Sequence, residues 1–355
     1  MQGRRVALVL GGGGLKGFAH LGVLRALEER GVVPTSVSGT SIGALIGAAF
    51  AAGMPQDEMT IRAEALQRRH LFQLNHVGLL LEQRRVKSIY LAEPLRALCR
   101  SVLPDGTFDE LGIPTVVNTV DLDTGTLVPW GAPGLRDVSV RDAVYASCAL
   151  PGFFPPGEVG GRVCIDGGTI DNLPVRIAAV DADVVIAVDV GKTDLLPTRD
   201  LTLQGFVRVF GQAATVMMQA LQQAPLDHWT GPPMLLVRPR VSHIDRFAFG
   251  QTAELVEAGY RAALAALDDL DVVLEAAGGI FPRRPLQVSV DRARCTGCGL
   301  CVAMAPTVMG LDAHRKAYAL TREVNWSPAD GDFVRHCPTE AIMVEAVQRR
   351  VAASA

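Results

Sequence analysis

Short apolar runs alternate along the chain with stretches in which apolar residues recur every three or four positions. The run VALVL at residues 6–10 precedes a glycine-rich loop and then GFAHLGVLRALEERG, where Leu21, Leu24 and Leu27 recur on one helical face. This spacing predicts an amphipathic helix that ends at Gly31. Further apolar runs predict buried strands at residues 32–39, 114–121, 162–166 and 183–190. The alternation predicts an α/β fold with a largely parallel central sheet.

Three more stretches have a helical pattern. They are residues 44–53, the methionine-rich residues 206–223, and residues 250–274, and we expect the last two in an outer layer of helices. Glycines, prolines and arginines then break the periodicity in AAGGIFPRRP at residues 276–285. A break of this composition is typical of a domain boundary. We therefore expect one domain over residues 1–280 and a small α+β domain over residues 285–355.

Residues 57–103 combine a helical pattern with basic clusters, and we expect them to form a lid or cap. The clusters are RRH at residues 68–70 and QRRVK at residues 83–87, on either side of VGLLL at residues 77–81. A pair of ordinary amphipathic surface helices explains this pattern more simply than a face that docks on a membrane. A peripheral membrane contact nevertheless stays open as the alternative.

Composition and charge exclude some classes of partner. The chain has 355 residues, of which 49% are hydrophobic and 20% charged, and its formal net charge is −3. The length favours two domains, and the charge offers no basic field to a nucleic acid. No apolar run approaches the roughly 20 residues of a spanning helix, and the first run is too short for a secretory signal. Seven cysteines, four of them in the last 61 residues, favour a reducing compartment, so we expect a cytoplasmic protein.

Glycine-rich loops follow the first two predicted strands. The first loop, GGGGLKG at residues 11–17, has the GxGxxG pattern of dinucleotide-binding folds, but the second strand does not end in an acidic residue that would bind a ribose. It ends instead in SGTSIG, where Gly39, Ser41 and Gly43 form GxSxG between a strand and a helix. In that context the motif predicts a sharp turn that exposes the Ser41 hydroxyl for attack on a carbonyl group. A serine that only caps the helix is the alternative.

Backbone N–H groups of the first loop are candidates for stabilising the negative charge of such a reaction. Gly12, Gly13 and Gly14 carry no side chain, so an oxyanion can approach their N–H groups closely. Lys16 would add positive charge nearby, although a solvated lysine explains it equally well.

A catalytic serine also needs a base. The seven histidines stand in no recognisable catalytic context. Asp166 ends the apolar strand VCID and is followed by Gly167 and Gly168, so its carboxylate is a candidate to face the same end of the sheet as Ser41. Two other aspartates also end predicted strands and compete with it: Asp121 and Asp189.

These segments, together with ALPGFFPP and DGGTIDNLPV, stand in an order that resembles bacterial patatin-like phospholipases over residues 4–275. The resemblance implies a three-layer α/β/α fold and a serine lipid acyl hydrolase that works through an acyl-enzyme. It also implies that Ser41 is the nucleophile, that Asp166 is the general base of a Ser-Asp pair, and that the GxGxxG loop is the oxyanion hole. The glycines carried over with that loop are Gly12, Gly13, Gly14 and Gly17.

The stretch CTGCGLC places Cys295, Cys298 and Cys301 three residues apart, and Cys337 follows in HCP. This spacing is typical of the ligands of a 4Fe-4S cluster. Zinc is the rival, but zinc ribbons use paired CxxC knuckles and this chain has one such run. Ala305 occupies the position of the cysteine that would serve a second cluster, so we predict a single cluster.

Residues 285–353 resemble a single-cluster ferredoxin, in which we expect LQVSV to pair with AIMVE and a helix or hairpin to lie between Cys301 and Cys337. The cluster's role stays open between electron delivery to a redox partner protein, redox control and structural support. The remaining cysteines are expected as buried small hydrophobic residues: Cys99, Cys148 and Cys164. Two alternatives to the hydrolase remain, namely a dinucleotide-binding electron-transfer protein and a non-catalytic redox-responsive adaptor.

Overall fold

A computed structural model of the chain describes residues 3–76, 88–191, 228–327 and 329–347, together with residues 209, 213, 217, 225 and 226. The chain divides into two compact units, a first unit of Met1–Gly279 and a second unit of Ile280–Ala355. The segments VGLLL and QRRVK, and most of the helix expected at residues 206–223, lie outside the described residues.

The first unit is built on one central sheet with the strand order β5-β6-β3-β2-β1-β7-β8, and β4 also pairs with β3. The pairs β1–β2, β1–β7, β2–β3 and β7–β8 are parallel, whereas β3–β4, β3–β6 and β5–β6 are antiparallel. The prediction of a largely parallel sheet is therefore confirmed, with an antiparallel side that the apolar runs did not indicate. The strands are β1 Val6–Leu10, β2 Ser36–Gly39, β3 Thr115–Asp121, β4 Leu127–Trp130, β5 Gly157–Val159, β6 Arg162–Asp166, β7 Val184–Val188 and β8 Met234–Val237.

Helices cover this sheet. Every residue of β1, β7 and β8 is buried, as expected of parallel strands that are packed on both faces. The described helices are α1 Ala19–Glu29, α2 Ile42–Ala51, α3 Gln56–Ala65, α4 Ala92–Val102, α5 Val140–Cys148, α6 Val175–Ala178, α7 Thr252–Leu267 and α8 Leu270–Glu275. None of the helices in the described part of the chain is long and apolar enough to cross a membrane.

Two helix predictions need correction. The region at residues 57–103 is not one run of helix, because α3 ends at Ala65 and a short 3-10 turn at Arg68–His70 comes before α4. The stretch at residues 250–274 is broken between α7 and α8 at Asp268 and Asp269. Aspartate is a poor helix former, and its charge is unfavourable at the carboxyl end of a helix.

Two glycines bring α1 and α7 into backbone contact. A Cβ atom on Gly22 of α1 would overlap the Val256 carbonyl oxygen of α7, and a Cβ on Gly259 of α7 would overlap the Ala19 carbonyl oxygen of α1. Each helix thus presents a glycine where the other helix's backbone lies against it. This close packing lies directly after the glycine-rich loop and fixes the start of α1.

The second unit contains a three-stranded antiparallel sheet and a separate hairpin. The sheet has the order β13-β10-β14 and the hairpin consists of β11 and β12, whereas the short strand β9 belongs to neither. The strands are β9 Ile280–Phe281, β10 Arg284–Val290, β11 Met309–Leu311, β12 Ala317–Ala319, β13 Glu323–Trp326 and β14 Ile342–Ala346, and the helices are α9 Leu300–Met304 and α10 Asp332–Arg335. Strand β10 pairs with β14 in a register that places Val288 opposite Val344, which confirms the predicted pairing of LQVSV with AIMVE. The hairpin β11–β12 lies between Cys301 and Cys337, as expected.

Candidate active site

Ser41 lies on a strained turn between β2 and α2. Its backbone has φ 56° and ψ −126°, a region that residues other than glycine rarely adopt. Such a conformation costs about 1–3 kcal/mol and persists only where the surroundings enforce it. A Cβ on Gly43 would overlap the Leu10 carbonyl oxygen, so glycine is required at that position, and the Ser41 N–H donates to the Ser147 hydroxyl oxygen at 2.9 Å. The turn leaves Ser41 half-exposed, as the GxSxG motif predicts.

Asp166 ends β6 and is buried beside this turn. Its Oδ1 accepts a hydrogen bond from the Gly168 N–H at 2.8 Å. Burial raises the pKa of Asp166 from 3.8 to about 6, and this rise is partly offset by hydrogen bonds from Gly168 and from the Ser41 side chain and by the charge of Arg246. A carboxylate in this state accepts a proton near neutral pH, as a general base must.

The competing aspartates are engaged elsewhere. Arg162 donates to Asp121 Oδ2 at 2.8 Å, and Arg238 donates to Asp189 Oδ2 at 2.9 Å. Neither aspartate lines the pocket that contains Ser41 and Asp166. Among the three aspartates that end predicted strands, only Asp166 faces the serine.

The glycine-rich loop lies beside Ser41, but its N–H groups are not equivalent. The Gly12 N–H donates to the Asn172 carbonyl oxygen at 3.0 Å, and the Asn172 side chain donates back to the Gly12 carbonyl oxygen at 2.9 Å. The N–H groups of Gly13 and Gly14 donate to no acceptor in the described part of the chain, and the same holds for Ile42, which follows the serine. These three groups are the donors that remain for a bound oxyanion.

This pattern corrects part of the predicted oxyanion hole. The Gly12 N–H is occupied, so Gly12 acts instead by holding Asn172. Gly17 lies within the 3-10 helix Gly14–Phe18, where a Cβ would overlap the Ile42 side chain, so its role is close packing against α2. The sequence did not indicate Ile42 as a further candidate donor, nor the two hydrogen bonds between Asn172 and Gly12.

A large apolar pocket begins at these groups. It is lined by Ser41, Asp166 and the three glycines Gly12–Gly14, and it encloses about 1380 Å³, part of which is open to solvent. Its walls come from α1 to α4 and from the segment after α5, including Leu21, Leu45, Met59, Leu95, Val102 and Phe154. A concave site with apolar walls and a few convergent polar groups is typical of a small-molecule binding site.

Among the residues that the structure describes, three charged ones line this pocket: Asp166, Arg62 and Arg246. The Arg62 guanidinium donates to Glu58 Oε1 at 2.6 Å on α3. Arg246 belongs to no sequence motif, and it reaches the site from the loop before α7. Phe247 follows it, and its ring packs against Phe72 with a centroid separation of 5.6 Å to form one aromatic wall.

Other candidates have structural roles. His20 lies beneath the glycine-rich loop, where its Nε2 is 2.8 Å from the Gly11 carbonyl oxygen and burial lowers its pKa to about 4. Lys16 is fully buried, which excludes the alternative of a solvated lysine, and it does not line the pocket. Cys99 and Cys164 are buried as expected, whereas Cys148 lines the pocket beside Ser41. Burial raises the pKa of Cys148 well above 9.0, so its thiol stays protonated.

In the second unit, four cysteines surround one cavity. Cys295, Cys298, Cys301 and Cys337 all line it, together with residues of β10, the β11–β12 hairpin and β14. The Ala317 N–H lies 3.4 Å from Cys295 Sγ, and the Ala341 N–H lies 3.3 Å from Cys337 Sγ. Such donors stabilise thiolates and tune the potential of iron-sulfur clusters.

The four cysteines share a cavity but are not drawn together around one point. Within the described ranges, no group of three His, Cys, Asp or Glu side chains is gathered closely enough to hold one metal ion. Ala305 packs against the hydrophobic core of the second unit and does not line the cavity, in agreement with a single ligand set.

Comparison with known families agrees with this geometry. A model of the family described as patatin-like phospholipase matches residues 8–179, which include Ser41 and Asp166. The first unit carries a patatin-like phospholipase domain. A model of the 4Fe-4S single cluster domain matches residues 288–344, which include the four cysteines.

The patatin-like domain has relatives in bacteria and mammals. An uncharacterised NTE family protein of Mycobacterium tuberculosis is 38% identical over 197 residues, which are 55% of this chain and 52% of the relative. The human patatin-like phospholipase domain-containing protein 6 is 36% identical over 197 residues, which are 14% of its length. The chain thus spans about half the length of the mycobacterial relative. Among solved structures, VipD from Legionella pneumophila has a TM-score of 0.44 at 17% identity, over 75% of this chain and 67% of that chain.

Proposed function

We propose that the chain is a serine-dependent lipid acyl hydrolase of the phospholipase, lysophospholipase or esterase type, with Ser41 as nucleophile and Asp166 as general base. One observation carries the proposal: Ser41 and the buried Asp166, whose pKa is raised to about 6, line the same apolar pocket. The identity of the matched family supports the same reaction class.

The acylation step follows from these positions. Ser41 Oγ attacks the ester carbonyl carbon while its proton passes to the Asp166 carboxylate. The carbonyl oxygen becomes an oxyanion, and the N–H groups of Gly13, Gly14 and Ile42 are the donors available to it. The C–O bond to the alcohol then breaks, and the alcohol leaves with the proton held by Asp166. The acyl group remains on Ser41.

Deacylation repeats the sequence with water. A water molecule gives its proton to Asp166 and attacks the acyl carbon, the second oxyanion uses the same donors, and the fatty acid leaves as the Ser41 hydroxyl is restored. An aspartate is ordinarily a weaker base than histidine. The raised pKa of Asp166 makes it a stronger proton acceptor, and the fixed N–H donors lower the barrier further by stabilising the oxyanion. The histidines are not needed.

The pocket favours an acyl chain as the bound part of the substrate. Its walls are almost entirely hydrocarbon from α1 to α4, and burial of each methylene contributes about 0.8 kcal/mol. A substrate with a long apolar chain therefore gains affinity from the pocket, while the ester lies at Ser41. Contact with a membrane surface, from which such a substrate would be taken, is part of this proposal.

The reaction is tested with a chromogenic medium-chain acyl ester. Ser41→Ala should reduce turnover to the level of the uncatalysed reaction, whereas Ser101→Ala, on the exposed face of α4, should retain the wild-type rate. Intact-mass detection of an acyl adduct on Ser41 in a slow variant would support the covalent step. Full activity of Ser41→Ala would reject the proposal.

The dinucleotide alternative has less support. A dinucleotide site would have an acidic residue at the end of the second strand to bind the ribose, but β2 ends at Gly39. Tight binding of a nicotinamide or flavin nucleotide would restore this alternative, and a non-catalytic adaptor gains weight only if no acyl ester is hydrolysed.

We further propose that Cys295, Cys298, Cys301 and Cys337 hold one 4Fe-4S cluster. The shared cavity and the match of residues 288–344 support this ligand set. When bound, such a cluster supplies one-electron chemistry to a redox partner or a structural link between the four cysteines. Thiolate ligands of this kind suit a reducing compartment, which favours the cytoplasm as the site of action.

A further inference from the structure

Arg246 brings a positive charge to the pocket from outside the matched patatin-like residues. Its carbonyl oxygen accepts the Leu15 N–H at 2.8 Å, and a Cβ on Gly14 would lie 3.2 Å from Arg246 Cβ. The side chain therefore starts beside the free N–H donors of the glycine-rich loop. It extends into the pocket that holds Asp166, and the charges of Arg246 and Asp166 act on one another.

The Arg246 guanidinium has no ion-pair or hydrogen-bond partner among the residues that the structure describes. Asp245 is adjacent, but its Oδ1 accepts the Phe247 N–H at 2.8 Å and acts on Arg246 only through its charge. Arg62, the other arginine of the pocket, is instead paired with Glu58. A half-buried cation without a partner is unfavourable, so an anion from the ligand is the expected partner.

We propose that Arg246 binds the phosphate of a glycerophospholipid substrate and so selects phosphate-bearing acyl esters over neutral ones. This inference rests on the proposed function. With the acyl chain in the apolar pocket and the ester at Ser41, the glycerol places a phosphate only a few bonds from the ester, on the side of the donors beside which Arg246 begins. The planar guanidinium matches two phosphate oxygens, and its charge offsets the repulsion between the phosphate and Asp166.

The experiment compares two substrates that differ only in the phosphate group. A lysophospholipid and the monoacylglycerol with the same acyl chain are hydrolysed by the full-length protein below their aggregation concentrations. Arg246→Gln should lower kcat/KM for the lysophospholipid about 10- to 100-fold relative to the monoacylglycerol, chiefly through KM, which is the range of a lost charged hydrogen bond. Retained hydrolysis of the monoacylglycerol shows that the variant is folded.

Two further variants sharpen the comparison. Arg246→Lys keeps the charge but not the bidentate geometry, so it should restore part of the preference. Arg62→Gln removes the other pocket arginine, whose charge Glu58 already neutralises, and should leave the ratio between the two substrates within about twofold, as expected for an exposed ion pair.

Three outcomes would overturn the inference. An equal fall for both substrates, with a pH profile displaced to higher pH, would mean that Arg246 acts only by holding Asp166 ionised. If Arg246→Gln leaves the ratio of kcat/KM between the two substrates unchanged, Arg246 does not contact the headgroup. If Arg246→Gln keeps the wild-type preference for the lysophospholipid, and inorganic phosphate changes the rate of the wild-type protein only, Arg246 binds free phosphate and not the headgroup. Continued hydrolysis by Ser41→Ala would instead overturn the proposed function, and this inference with it.

Discussion

At the scale of single residues, the burial of Asp166 sets the pH dependence of hydrolysis. The proposed base must be ionised to accept the Ser41 proton, and its pKa is raised to about 6. We therefore expect kcat/KM for a neutral acyl ester to decrease as the pH is lowered below about 6, by about tenfold per pH unit, as protonation of a single group requires. The measurement is a pH–rate profile on the wild-type protein. If the rate instead decreased only around pH 4, where an ordinary aspartate titrates, the proposed role of the buried carboxyl group would be contradicted.

The same burial predicts that Asp166 reduces stability. Its folded-state pKa lies above its ordinary value of 3.8, so the folded state binds this proton more tightly and loses stability as pH rises from about 4 through about 6. The difference is about 2 pKa units, or up to about 3 kcal/mol at pH 7. Asp166→Asn should therefore abolish hydrolysis while raising the free energy of unfolding of the first unit, measured by urea denaturation at pH 7.

Asp121→Asn is the matched control for that variant. Hydrogen bonding from Arg162 lowers the pKa of Asp121, so its ionised form is favoured by folding. Removing this charge should leave stability unchanged or reduce it, in the direction opposite to Asp166→Asn. If both variants shift stability in the same direction, the change would reflect a general loss of negative charge and not the burial of Asp166.

At the scale of elements, the packing of α1 against α7 holds the glycine-rich loop in place. Gly22→Ala would force a methyl group against the Val256 carbonyl oxygen and separate the two helices. We expect a loss of about 1–3 kcal/mol in the free energy of unfolding, typical of overpacking, and reduced hydrolysis because the N–H donors of Gly13 and Gly14 precede α1. Glu28→Ala, on the exposed end of the same helix, should change stability by less than about 0.5 kcal/mol.

Local motifs predicted the elements that carry the proposed chemistry, because their geometry is decided within a few residues. The GxSxG turn needs only β2, Ser41 and the start of α2, and the strand that ends at Asp166 is visible in its apolar run. The antiparallel direction of β6 was not predictable in this way, since a buried strand has the same composition in either direction.

Long-range contacts explain what the sequence did not indicate. Arg246 has no motif around it, and only tertiary packing brings its carbonyl oxygen to Leu15, far earlier in the chain. Asn172 stands in a recognised segment, but its two hydrogen bonds to Gly12 appear only when the loop and the segment after β6 meet. Both residues complete the candidate site through contacts that no periodicity or spacing encodes.

At the scale of the whole molecule, the second unit depends on its cysteines for a core. In the described part of that unit nine buried residues form the core, and Cys295 and Cys301 are two of them. A domain of this size has a thin core and commonly needs a metal site to fold. We expect the wild-type protein to be brown, with absorption near about 400 nm, and Cys337→Ser to lose that colour together with the thermal transition of the second unit.

Cys164→Ala, in the first unit, should keep both the colour and the transition, because Cys164 lies outside the cysteine cavity. A colourless, zinc-loaded wild-type protein prepared without oxygen would contradict the cluster assignment.

Whether the cluster controls hydrolysis is decided by rates measured with the cluster oxidised, reduced and removed. The nucleophile, the proposed base, the free N–H donors and the pocket all belong to the first unit, and the four cysteines all belong to the second. Each unit therefore contains its complete set of chemical groups, and we expect the three rates on a neutral acyl ester to agree within about twofold, a difference of about 0.4 kcal/mol. A rate that follows the oxidation state would show that the cluster regulates Ser41, whereas equal rates would leave it with structural support or partner binding.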